Sequence, residues 1–164
     1  MTRVPPRRLC YALGFLIATS LIAFALYLQH AQGEDPCPLC IFQRVVMIAL
    51  GALFLLAALT AWGRWGPRIY GALIGLTAAA GAAIAARHVW IQHLPPDRVP
   101  SCGPGLEYIL QAHPLFKALE VVLKGSGECA AVGWTFLTLS IPEWTLIWFV
   151  ALGLLGALQP FNRR

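Results

Sequence analysis

The sequence predicts an all-α membrane protein, a four-transmembrane-helix bundle with a long second loop on its outer side. Composition is the first reason, because 59% of the residues are hydrophobic and only 12% are charged. Soluble domains are roughly half apolar and a quarter charged. The mean hydropathy of +0.69 agrees with this reading. The second reason is the presence of four apolar segments near the length that a bilayer requires.

Each transmembrane helix needs about 20 largely apolar residues. The predicted spans cover residues 10–28, 41–62, 69–90 and 144–160, and the last is the shortest. The first span is predicted to be an uncleaved helix, because its apolar run is longer than the roughly 7–15 residues of a signal peptide. In the third span, Ala78–Ala83 contains only small residues, which predicts close helix packing.

The chain is predicted to form one membrane domain over residues 1–164, because it contains no repeat or flexible linker and is short. Its outer loops are predicted at residues 29–40 and 91–143. Leu115, Phe116, Leu119, Val122 and Leu123 share one helical face of the second loop. They predict a short amphipathic helix that either lies in the membrane interface or packs on the ends of the four spans.

Basic residues set the predicted orientation, because Lys and Arg are retained on the cytoplasmic side of a membrane. Seven of the twelve lie at the two chain ends or between the second and third spans: Arg3, Arg7, Arg8, Arg64, Arg68, Arg163 and Arg164. Both termini are therefore predicted to be cytoplasmic. The net charge of +5 does not indicate nucleic-acid binding, because the basic residues lie at membrane boundaries and not on one soluble face.

The outer loops contain every cysteine except Cys10. In an oxidising compartment, Cys37, Cys40, Cys102 and Cys129 are expected to form two disulfides, for which three connectivities exist. The C-x-x-C spacing favours Cys37–Cys40 and therefore Cys102–Cys129. No metal site is predicted, because zinc sites usually show a second C-x-x-C or a nearby His pair. Haem is disfavoured because Ile41, not His, follows the motif. Cys10 is predicted to be a small buried apolar residue.

Cys40 lies at the predicted first turn of the second span, where free backbone N–H groups and the helix dipole favour a thiolate. Pro38 stiffens the turn between the two sulfurs. Arg44 is one turn further along the same helix face. An arginine there either extends to the lipid headgroups or serves a function, and the functional hypothesis is that it polarises a bound oxidant beside Cys40.

Several motifs, taken together and in order, resemble the DsbB family of bacterial inner-membrane proteins, and the resemblance covers nearly the whole chain. The motifs are Pro36-Cys37-Pro38-Leu39-Cys40 with Gln43-Arg44, Arg87-His88 with Gln92, the pair Cys102 and Cys129, Gly133-Trp134-Thr135-Phe136-Leu137, and Ile141-Pro142-Glu143-Trp144. Members of this family reoxidise the periplasmic thiol oxidase DsbA, and they use a quinone as electron acceptor.

The resemblance implies an electron route that starts when a reduced DsbA-like, thioredoxin-fold partner attacks the Cys102–Cys129 disulfide through Cys102. Electrons then pass to Cys37–Cys40, and Cys40 delivers them to a quinone held near Arg44. Ubiquinone and menaquinone are not distinguished by the sequence. The implied location is the bacterial inner membrane, with the redox loops in the periplasm.

His88 either donates a hydrogen bond to the quinone or is an ordinary packed histidine, and the sequence leaves both open. His30, His93 and His113 are predicted to be loop residues. Two other functions remain: a family paralogue with a dedicated partner, and a membrane scaffold with two structural disulfides. An enzyme related to vitamin K epoxide reductase also combines four spans, a C-x-x-C and a quinone, but the order of elements here is more similar to that of DsbB.

Overall fold

A computed structural model describes residues 7–33, 35–61, 63, 65–99, 123 and 125–161. These residues contain four long α-helices: α1 Arg7–Gln32, α2 Pro38–Thr60, α3 Gly66–Gln92 and α4 Ile141–Ala157. Short 3₁₀ turns lie at Pro96–Arg98, Gly127–Ala130 and Gln159–Phe161. A two-stranded antiparallel hairpin, β1 Thr135–Phe136 and β2 Leu139–Ser140, precedes α4.

Three of these helices, α1, α2 and α3, are long and apolar enough to cross a membrane, and α4 is an apolar helix of 17 residues. The prediction of a helical membrane protein is therefore confirmed. Each helix begins three residues before its predicted span. Because α1 continues to Gln32, the prediction that His30 is a loop residue is wrong: its ring bonds the Leu26 carbonyl oxygen within the helix, at 2.9 Å.

The helices pack through a continuous apolar core whose largest buried side chains include Tyr11, Phe54 and Phe149. The contact between α3 and α4 is the most extensive, and α2 packs against both α1 and α3. Gly81 explains the close approach of α3 to α4, because a Cβ atom there would overlap the Phe149 ring. The small residues of Ala78–Ala83 thus permit close packing, as predicted from the sequence.

The start of α4 is fixed to the end of α3. Ser140 is the N-cap of α4, and its backbone N–H donates to the Glu143 carboxylate at 2.6 Å in a capping box. The Ser140 hydroxyl also lies 2.8 Å from Gln92 Oε1, on the last residue of α3. Because Ser140 contacts both helices, the ends of α3 and α4 meet at the same end of the bundle.

The hairpin covers that end of the bundle. Leu137 and Thr138 form its two-residue turn with φ of 51° and 67°, the left-handed pair that closes tight hairpins. Trp134 stacks on Phe136, with ring centroids 5.9 Å apart, and meets the edge of Phe24 on α1 at 5.5 Å. The hairpin is thereby packed against α1. The predicted amphipathic helix over residues 115–123 lies outside the described residues, apart from Leu123.

Candidate functional site

The site lies where α2 begins, where α3 ends and where the 3₁₀ turn Gly127–Ala130 packs against α3. Cys37 is the N-cap of α2 in extended conformation, and Pro38 takes the first helical turn, where its missing N–H costs nothing. Cys40 is therefore in the first turn of the helix, as predicted. Cys129 lies in the 3₁₀ turn, and its backbone N–H donates to Ser126 at 2.9 Å.

Two cysteines from separate loops and one histidine converge here. The Sγ atoms of Cys37 and Cys129 and a ring nitrogen of His88 all lie within 4.8 Å of one another. The three residues are only 8%, 0% and 2% exposed, respectively. Cys37, Cys40 and Cys129 are free thiols. The predicted Cys37–Cys40 disulfide is therefore not formed in this structure, which holds the two residues in the dithiol state. Cys102 lies outside the described residues, so the Cys102–Cys129 disulfide remains a prediction.

Gly125 lets the chain reach this cluster. Its φ is +80°, and a Cβ atom there would overlap the Ile91 side chain. Ile91 and Leu39 are fully buried and pack with Cys37 and Cys129 in a small apolar cluster. Position 125 therefore requires a left-handed backbone conformation and leaves no space for a Cβ atom beside α3, and glycine satisfies both conditions.

The Cys129 thiol is held in its protonated form. A hydrogen bond with Cys37, followed by burial, raises the pKa of Cys129 far above that of an ordinary thiol. Because the thiolate is the nucleophilic form, the raised pKa lowers the fraction of reactive Cys129 while Cys37 is also a free thiol.

A chain of buried hydrogen bonds orients His88. Its Nε2 lies 3.1 Å from the Cys129 carbonyl oxygen, which can only accept, so Nε2 carries the proton. Its Nδ1 then accepts from Gln43 Nε2 at 3.1 Å, and Gln43 Oε1 accepts from the Thr145 hydroxyl at 2.6 Å. Two sulfurs flank the ring: Cys37 Sγ is 3.8 Å from Nε2 and Cys40 Sγ is 3.9 Å from Nδ1. The histidine is thus a fixed neighbour of both sulfurs of the C-x-x-C motif.

Arg44 lies one turn below Cys40, and its guanidinium contacts α1. Nη1 donates to Gln29 Oε1 at 2.5 Å and Nη2 donates to the Ala25 carbonyl oxygen at 3.1 Å. These bonds engage two of the five guanidinium N–H groups. The guanidinium is therefore partly buried and lies between α1 and α2.

A cavity of about 130 Å³ joins these groups. Its lining includes Cys37, Cys40, Arg44 and His88, together with the apolar side chains of Leu21, Ile22, Leu28 and Met47. Asp35 and Glu128 also lie on its wall. The cavity therefore combines reactive sulfurs, one cation and an apolar surface in a single space.

Among the described residues, the structure brings together every predicted site residue: Cys37, Cys40, Arg44, His88 and Cys129. Cys10 is buried in α1, away from this cavity, as expected for a packing residue. Sequence reasoning gave no role to Gln43, Thr145 or Gln29. For Gln43 and Thr145, the sequence did offer a signal, because each is a polar residue inside an apolar span.

The fold and the site define a helical membrane protein with a buried thiol centre at one end of its helix bundle. The family model described as "Disulfide bond formation protein DsbB" matches residues 7–159, and the chain belongs to this family. As a member, it is a membrane thiol oxidase that supports disulfide bond formation. The resemblance deduced from the sequence motifs is confirmed.

Curated relatives cover nearly the full chain and share the name "Disulfide bond formation protein B". The chain is 48% identical over 159 residues to that of Methylococcus capsulatus, which spans 97% of both chains. It is 49% identical over 154 residues to that of Methylobacillus flagellatus, spanning 94% of this chain and 93% of the relative. A third, from Acinetobacter baumannii, is 49% identical over 160 residues and spans 94% of each chain.

Proposed function

We propose that the protein takes two electrons from a periplasmic, DsbA-type thioredoxin-fold oxidase and passes them to a membrane quinone. The observation that supports this most strongly is the meeting of Cys37 and Cys129, with His88, within 4.8 Å. These two cysteines belong to different loops and to different predicted disulfides. Exchange between two disulfides requires that a sulfur from each can come into contact.

The electron transfer is a sequence of thiol–disulfide exchanges. A partner thiolate attacks Cys102 and displaces Cys129, and the second partner thiol then releases the oxidised partner. Cys129 attacks Cys37 and displaces Cys40, after which Cys102 closes the disulfide with Cys129 again. The released pair, Cys37 and Cys40, returns to a disulfide as the quinone accepts two electrons and two protons to become a quinol.

The cavity residues fit a quinone. Three guanidinium N–H groups of Arg44 remain after its bonds to α1 and match a carbonyl oxygen of the quinone ring. The apolar side of the cavity matches the ring face and the isoprenoid chain. Cys40 and Arg44 both line this cavity, so a quinone bound there would lie beside the displaced sulfur. His88 has both ring nitrogens engaged by Gln43 and Cys129, which favours contact with the sulfurs over donation to the quinone.

The membrane arrangement that we propose has four spans and one domain over residues 1–164. With 17 residues, α4 is about 26 Å long at 1.5 Å per residue, slightly short of a hydrocarbon core of about 30 Å. Leu158–Pro160 extend it. Both termini are cytoplasmic, because seven of the twelve basic residues lie, in the sequence, at the two chain ends or between the second and third spans. The thiol site then lies at the periplasmic end, in the bacterial inner membrane.

The function is tested with the purified full-length protein in detergent, a reduced DsbA-type partner and either a ubiquinone or a menaquinone analogue. We expect one quinol for every partner disulfide formed. Cys40→Ser should abolish quinol formation, and Cys10→Ser should retain it because Cys10 lies away from the cavity. A scaffold with structural disulfides would give no quinone reduction in the unaltered protein. Rates of quinol formation with several thioredoxin-fold partners test the paralogue alternative, because a paralogue with a dedicated partner would be active with only one of them.

A further inference from the structure

Cys37, Cys129 and His88 have the ligand chemistry of a soft-metal site. We propose that, in their dithiol state, these three residues bind a thiophilic divalent cation of the zinc type. Two thiolates and an imidazole form a common donor set for Zn²⁺. The sequence argued against zinc because Cys102 and Cys129 do not form a second C-x-x-C, but the folded chain draws its ligands from the N-cap of α2, from α3 and from the 3₁₀ turn.

The distances are close to those that a tetrahedral ion requires. Zinc binds sulfur at about 2.3 Å and nitrogen at about 2.0–2.1 Å, so ligand atoms around one ion lie roughly 3.6–3.8 Å apart. Cys37 Sγ and His88 Nε2 are already 3.8 Å apart, and no pair among the three exceeds 4.8 Å. Two ligand atoms 4.8 Å apart would each need to move by only about 0.5 Å to reach the spacing of about 3.8 Å around a tetrahedral ion.

Gln43 and Thr145 supply the outer support that a metal-binding histidine needs. Such a histidine donates its second ring N–H to an acceptor. If the Gln43 amide rotates by half a turn, its Oε1 accepts from Nδ1 of His88 and its Nε2 donates to Thr145. The Thr145 hydroxyl then donates to the Pro142 carbonyl oxygen, which is already 2.9 Å away. Only the bond from His88 to the Cys129 carbonyl oxygen is lost, and Nε2 becomes free for the cation.

Charge and access also suit a cation. The cavity that Cys37 and His88 line is also lined by the exposed residues Asp35 and Glu128, whose carboxylates attract a cation. Binding releases one proton from each thiol, so the two thiolates neutralise the divalent charge. Cys37 and His88 line the cavity of about 130 Å³, which is large enough to supply a water molecule as a fourth ligand. Arg44 lines the same cavity, and two of its N–H groups are bonded to α1.

A bound cation would stop electron transfer, and this consequence rests on the proposed function. It would occupy the two sulfurs through which the loops exchange disulfides. The oxidised protein lacks the thiolates and would not bind. The site is therefore expected to hold the enzyme in its reduced form when zinc is present, and a chelator is expected to release it.

The binding test uses Co²⁺ as a spectroscopic probe on reduced, chelator-treated full-length protein in detergent. We expect one Co²⁺ per chain, a thiolate-to-cobalt charge-transfer band and the visible bands of tetrahedral cobalt. Added Zn²⁺ should remove these bands. Cys37→Ser, Cys129→Ser and His88→Gln should each lose them, whereas Cys10→Ser keeps them as the matched thiol control. Gln43→Leu should weaken binding about 10- to 100-fold, as expected when the outer support of a ligand is removed.

The oxidised protein is a second comparison that needs no substitution, so failure of a variant to fold does not obscure the result. Equal Co²⁺ binding by oxidised and reduced protein would overturn the proposal. So would persistence of the thiolate band in Cys37→Ser, or the absence of any thiolate band in the reduced protein. Quinol formation is measured separately with chelator present. Thus cation binding without quinone reduction would contradict the proposed function alone. Quinone reduction without cation binding would contradict the metal site alone.

Discussion

Replacement of Arg44 by Gln should weaken the use of quinone by about ten- to a hundredfold. The guanidinium makes two bonds to α1 and has three further N–H groups beside the cavity. A hydrogen bond from a charged donor contributes about 1.5–3 kcal/mol, and about 1.4 kcal/mol corresponds to a factor of ten. Loss of one such bond to the quinone oxygen therefore raises the quinone KM, or lowers kcat, by that factor.

The assay is the steady-state rate of quinol formation across quinone concentrations, at saturating reduced partner. Arg44→Lys should recover only part of the loss, because an ammonium retains the charge but lacks the planar fork. In Arg44→Gln, disulfide exchange between the partner and Cys102 should continue, because this exchange occurs in the second loop and does not use the quinone. It is measured as the single-turnover oxidation of the partner in the absence of quinone.

Gln29→Met is the matched control for the contact between α1 and α2. It removes the acceptor of one Arg44 bond but leaves the guanidinium, and methionine is close in volume to glutamine. We expect its quinone KM to change by less than about threefold, since no charged donor is lost. If Gln29→Met is as impaired as Arg44→Gln, the arginine acts by joining the two helices. Unchanged quinone kinetics in Arg44→Gln would refute the proposed contact outright.

Three further predictions concern topology, partner capture and the orientation of the histidine. Reporter fusions at Gly33 and Gly63 should report periplasmic and cytoplasmic locations, respectively, because basic residues flank the second position; a cytoplasmic signal at Gly33 would overturn the redox topology. Cys129→Ala should accumulate a mixed disulfide between the partner and Cys102, seen on non-reducing gels, and a partner trapped on Cys129 in Cys102→Ala would reverse this assignment. Gln43→Leu leaves the buried Nδ1 of His88 without its hydrogen-bond donor, at a cost of about 1–3 kcal/mol, so this variant should unfold at a lower temperature in detergent. Gln43→Glu should recover much of the lost stability. Equal thermal midpoints for Gln43→Leu and the unaltered protein would show that this hydrogen bond does not stabilise the fold.

The helices and the place of Cys40 were predictable because their signals are local. An apolar run long enough to cross a membrane specifies a helix almost regardless of its neighbours. Pro38 marks the first turn of α2, which fixes Cys40 near a helix N-terminus. Arg44 then follows one turn later by helical geometry alone.

The convergence at His88 was not predictable from one sequence. His88 is separated from Cys37 by 51 positions, and Thr145 is separated from Gln43 by 102. No periodicity links such distant residues, and only the packing of α3 against α2 and α4 brings them together. The hairpin before α4 was missed for a local reason, because Leu137 and Thr138 adopt positive φ without the Gly, Asn or Asp that usually marks such a turn.

Disulfide mapping in the double variant Cys40→Ser, Cys102→Ser tests the central claim most directly. This protein retains Cys10, Cys37 and Cys129. Sulfurs within 4.8 Å need to move by only about 1.4 Å each to form a disulfide. We therefore predict that mild oxidation gives a Cys37–Cys129 disulfide within one chain, identified by mass spectrometry of the linked peptides. Free thiols after oxidation, or links that involve Cys10 or a second chain, would contradict the claim that the two loops exchange electrons through these sulfurs.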